Sequence, residues 1–129
     1  MQGNLLFEYA VVRIVPHVER EEFVNTGVVL YCAGLKFLKG KFELNESRVR
    51  ALCSKIDTEE IRHHIDAFDR ICRGGDQAGP IGKLSLPERF RWLTSTRSTV
   101  FQTSRVHPGL CSDPEETLEH LFQQLVSVG

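Results

Sequence analysis

Very little in this chain marks it as a specialised class of protein. Its 129 residues include a single Met and a single Trp, and the formal net charge is −1. No overall charge therefore draws it towards nucleic acid or an acidic membrane. No stretch approaches the ~18 apolar residues that a membrane span needs, so no membrane contact is expected. The opening Met1-Gln2-Gly3-Asn4 and the early Glu8 lack the basic, then apolar, then small-residue order of an export signal. The expectation is a cytoplasmic protein. Its four cysteines, Cys32, Cys53, Cys72 and Cys111, form no C-x-x-C pair and read as reduced, buried thiols.

Motifs for the common chemistries are missing too. No Asp or Glu has a Lys two residues later, and there is no G-x-S-x-G elbow. The stretch ending Gly79-Pro80-Ile81-Gly82-Lys83 has Gln77 where a phosphate loop needs its first glycine. It also has Leu84 where Ser or Thr is required. His107 and Cys111, with His120 and the pair His63-His64 elsewhere, do not make two ligand pairs at zinc spacing. No metal and no cofactor are expected. Glu21-Glu22, Glu59-Glu60 and Glu115-Glu116 are adjacent pairs whose side chains diverge, so none is a ready acid/base couple.

What remains is the composition of an ordinary globular domain, 41% apolar and 26% charged, long enough for one core without staples. Leu5 to Val15, rich in β-branched and aromatic residues, predicts a strand well inside a sheet and ended by Pro16. Thr26 to Ala33 is the second strand. Lys36 to Leu44 is the third, with Lys39, Lys41 and Glu43 on a wet face opposite Leu38, Phe42 and Leu44. Asn25-x-Gly27 is expected to set a turn before the second strand. Asn45 and Asp57 cap two helices, the second ended by Gly74-Gly75; an exposed loop then runs to Lys83. Pro87 to Leu93 is a short helix, and Thr99 to Thr103 a fourth strand. Asp113-Pro114 starts a last helix with Leu118, Leu121, Phe122, Leu125 and Val126 as its buried stripe. The pattern predicts a single α+β domain over residues 1–129: a twisted antiparallel sheet of three to four strands with helices mainly on one face.

The richest candidate surface runs from Glu88 to His107, with four arginines against one carboxylate and seven Ser or Thr hydroxyls. Arginine forks and hydroxyls suit an anionic group, and Phe90, Trp92 and Phe101 could stack on bases or fill a core. The acids from Asp113 to Glu119 could neutralise these arginines across the fold. Arg13 lies mid-strand among Val and Ile, so a carboxylate from Glu19, Glu22 or the last helix, or a bound anion, should pair it.

Two ordered blocks carry a resemblance. The first runs Tyr9-Ala10-Val11-Val12-Arg13-Ile14-Val15-Pro16, then Glu22-Phe23-Val24-Asn25-Thr26-Gly27-Val28-Val29-Leu30. The second comprises Glu88-Arg89-Phe90-Arg91-Trp92-Leu93, Arg97-Ser98-Thr99-Val100, Val106-His107-x-Gly109 and Asp113-Pro114-Glu115. Together they resemble the bacterial family known as domain of unknown function 3037. The resemblance implies no activity. It implies a protein partner, since relatives are encoded beside kinase-like proteins of the toxin–antitoxin type. Three functions follow as expectations. The first is a non-enzymatic binding or accessory module that meets an anionic or protein partner through Arg89, Arg91, Arg97, Ser98, Thr99, Arg105 and His107, with Arg13 and Asn25. The second is a small hydrolase or nuclease built on Arg13, Arg97, Arg105 and His107. The third is direct nucleic-acid binding.

Overall fold

The computed structural model describes residues 4–95 and 99–127. Its centre is strand β1 (Leu5–Ile14), which pairs antiparallel with β2 (Val24–Cys32) on one side. On its other side it pairs with two short strands in succession, β4 (Phe101–Thr103) and β5 (His107–Cys111). Strand β3 (Phe37–Phe42) hydrogen-bonds to β2 and forms the far edge. The class is α+β as expected, but the sheet has five strands, because β5 continues the edge that β4 begins.

Helices α1 (Glu46–Leu52), α2 (Thr58–Arg73) and α3 (Leu86–Leu93) lie on one face, and α4 (Pro114–Leu125) lies on the other. Alternation along the strands sorts the side chains. Ala10, Val12, Ile14 and Val29 meet Ile61, Phe68, Phe90 and Leu93. Phe7, Val28, Leu30 and Cys32 meet Leu118, Phe122 and Val126. On the β3 face expected to be wet, Lys39 and Glu43 are exposed and Lys41 is half-buried. Lys39 and Lys41 pair there with Glu115 and Glu119 of α4. Glu115 and Glu119 of the last helix therefore neutralise these lysines, and among the described residues no ion pair joins that helix to Arg89, Arg91 or Arg105.

The helix starts follow the sequence signals. Asn45, Asp57 and Asp113 each accept main-chain N–H bonds from the first turn, and Ser85 closes a reciprocal capping box with Glu88. Those bonds hold the Glu88 carboxyl below the usual carboxylate range. The 74–83 segment is less loose than expected: 3-10 turns span Asp76–Lys83, and Gly82 is buried.

Asn25-x-Gly27 is not a turn. Both residues lie within β2, and the register slips beside them so that Thr26 is an extra, bulged residue. Gly27 is required for space: a Cβ there would overlap the Phe42 ring and lie 2.9 Å from the Lys41 carbonyl.

Candidate functional site

Alternation places Arg13 on the α4 face of β1, the face that also carries Phe7 and Tyr9. Asn25 is its register partner on β2 and Gln102 its partner on β4, so three polar side chains sit abreast near the C-terminal end of α4. The Asn25 Nδ2 donates to the Leu125 carbonyl of that helix at 3.0 Å, which fixes the amide and leaves Oδ1 as an acceptor. That Oδ1 is buried without a hydrogen bond, and so is the Arg13 Nε. Phe23, just before β2 and 44% exposed, lies flat under the guanidinium, with Arg13 Cζ 4.1 Å from the ring centroid.

The expected salt bridge to Arg13 does not form. Glu22 pairs with Arg20 at 2.7 Å, Glu19 lies 3.8 Å from His17, and Glu115 and Glu119 pair with β3. Among the described residues Arg13 has no carboxylate partner. Burial lowers its pKa from the ordinary value. Charge in a partly dry setting costs free energy unless it is paired. A cation–π contact of this kind returns only about 0.5–2 kcal/mol.

The 88–107 segment does not converge on one point. Arg89 is buried, with Nη1 donating to the carbonyls of Ile71 (2.8 Å) and Cys72 (2.9 Å) and Nε to that of Leu84 (3.2 Å). It thereby ties α3 to the open carbonyl end of α2. Arg91 and Arg105 are exposed. The Thr99 hydroxyl closes a local turn onto Phe101. His107 stacks on Tyr9 with ring centroids 5.2 Å apart. Arg97 and Ser98 lie outside the described residues. His64 is half-exposed and stacks on Phe101 at 5.3 Å. Of the residues assigned to a hydrolytic site, Arg13 and His107 share a face of the sheet but not a strand position. His107 is level with Tyr9, four residues along β1.

The 3-10 turn and bulge geometry could not be foreseen, yet one residue that completes the arrangement was visible. Phe23 stands beside Asn25 in the sequence, and its aromatic ring among Glu21, Glu22 and Val24 was a signal. A family model described as a protein of unknown function, DUF3037, matches residues 9–126. The chain belongs to this family. No curated protein and no solved structure matches it. Arg13, Phe23 and Asn25 all fall within the span that defines the DUF3037 match. Among the described residues no helix is long and apolar enough to cross a membrane, and no group of three His, Cys, Asp or Glu side chains is placed to hold a metal.

Proposed function

We propose that this DUF3037 protein is a non-enzymatic binding or accessory module, and that it grips an anionic group of its partner with Arg13. One observation carries the reading: a half-buried guanidinium, stacked on an exposed Phe23, finds no acceptor among the described side chains. A fixed cation with no partner among the described residues gains most when a second molecule supplies the anion. Arginine and an exposed aromatic together are also the residue types on which binding energy concentrates.

The test is a titration of labelled protein with acetate and with inorganic phosphate, following the Arg13 Nε–H resonance. A saturable shift in the millimolar range is expected, absent from Arg13→Gln, whose thermal midpoint should match or exceed that of the parent. If the resonance stays put for both anions, or the variant responds as the parent does, the reading fails.

A further inference from the structure

We infer that the group received at Arg13 is a single carboxylate borne beside an apolar side chain on a protein partner. This rests on Arg13 being an anion-binding residue and goes on to name the anion. One guanidinium supplies one positive charge. The β1–β2 connection that brings Phe23 to it also carries Glu19, Glu21 and Glu22, while its one arginine, Arg20, is already paired with Glu22. A dianionic phosphate would meet one cation beside an acidic connection, and a polyanionic nucleic-acid backbone would meet several repulsions. A monoanion matches the charge that is present.

The apolar requirement comes from the same connection. Phe23 and Val18 are 44% and 45% exposed, although neither is a small residue that water tolerates at little cost. The Phe23 ring already carries Arg13 on its face. A partner that lays a leucine or similar side chain against the ring would desolvate the guanidinium and strengthen the ion pair it forms. Asn25 is a positioning residue in this scheme. Bound to the Leu125 carbonyl, it stands opposite Arg13 in register and restricts the space into which the guanidinium could withdraw.

The probes are acetate, inorganic phosphate, and the peptide acetyl-Leu-Asp-Leu-amide with its Asn counterpart, each titrated against the full chain. The Arg13 Nε–H and Phe23 ring resonances are the readouts. The Asp peptide should bind about tenfold more tightly than acetate, the Asn peptide should lose most of that affinity, and Phe23→Ala should bring the Asp peptide down to the acetate level. Phosphate binding more tightly than the Asp peptide would overturn the carboxylate assignment and leave Arg13 as an anion site. Equal binding of Asp and Asn peptides would overturn it as well. Silence of Arg13 towards every probe would remove the underlying reading too.

Discussion

Arg89→Met separates a structural arginine from a binding one. The substitution keeps most of the apolar stem and removes a guanidinium that makes three bonds to main-chain carbonyls at 2.8, 2.9 and 3.2 Å. Hydrogen bonds from a charged donor contribute about 1.5–3 kcal/mol each, but they are not additive when they share one group. Water can also reach part of the freed helix end. A loss of about 3 kcal/mol is therefore expected, near the lower bound for breaking a buried charged network. In a domain of this size that corresponds to a fall of about 10 °C in Tm. Gly74 reinforces the expectation: it has φ +76°, and a Cβ there would lie 2.5 Å from Arg89 Nη1, so the loop is built around this side chain. Urea denaturation with an unchanged m-value is the assay, with exposed Arg91→Ala as a control expected within about 0.5 kcal/mol of the parent. A loss below about 1 kcal/mol for Arg89→Met would refute the claim that it anchors α3 to α2.

Three further outcomes follow from packing and protonation. Gly27→Ala should cost at least about 2 kcal/mol, because the Lys41 carbonyl is main chain and cannot swing away; a melting curve like the parent's would show that the strands separate more easily than the contact implies. Ser104→Ala removes the acceptor for the buried Val11 N–H at 2.8 Å and should destabilise by about 1–3 kcal/mol, measured by urea titration, whereas Ser104→Thr should retain most of that. Burial is the main cause that pushes the Cys72 thiol from 9.0 up to about 12. The folded form then holds its proton where the unfolded form releases it, so this contribution to stability is complete below pH 9 and declines as pH rises towards 12. Cys72→Ala should flatten that alkaline decline, and an equally steep decline in the variant would assign it to another group.

The parts of the fold that could be read from the sequence are those set by local chemistry. Asn45, Asp57 and Asp113 are caps because their short side chains reach the first-turn N–H groups, and Gly74 ends α2 because its φ is positive. Strand β5 was hidden because His107-Pro108-Gly109 reads as a turn. The strand is possible because Val11 O and Val15 N bond towards the β4 and β5 side. Odd residues of β1 therefore face that edge, and Pro108, opposite Glu8, directs its nitrogen away from the ladder. The wet face of β3 was legible from its alternation, but its ion pairs were not, since that alternation cannot show that acids of a helix from the far end of the chain reach its lysines. Arg13 and Asn25 were both legible as candidates. That they stand opposite one another, and that Glu22, Glu115 and Glu119 pair with other cations, depends on strand register and on ion pairs that no single segment encodes.

The place of β1 in the sheet also sets an order on folding. Like β2 it is paired along both sides, but the residues that complete its second side, 101–103 and 107–111, come close to a hundred positions after it. As the chain leaves the ribosome, the β1–β2–β3 meander has all its partners early, whereas one edge of β1 stays open until the last third is made. Contacts of such long sequence separation slow folding, and an unpaired apolar strand is a template for wrong pairing in the interval. A nascent chain stopped before Phe101 would thus hold a three-stranded sheet with its most apolar strand at the margin.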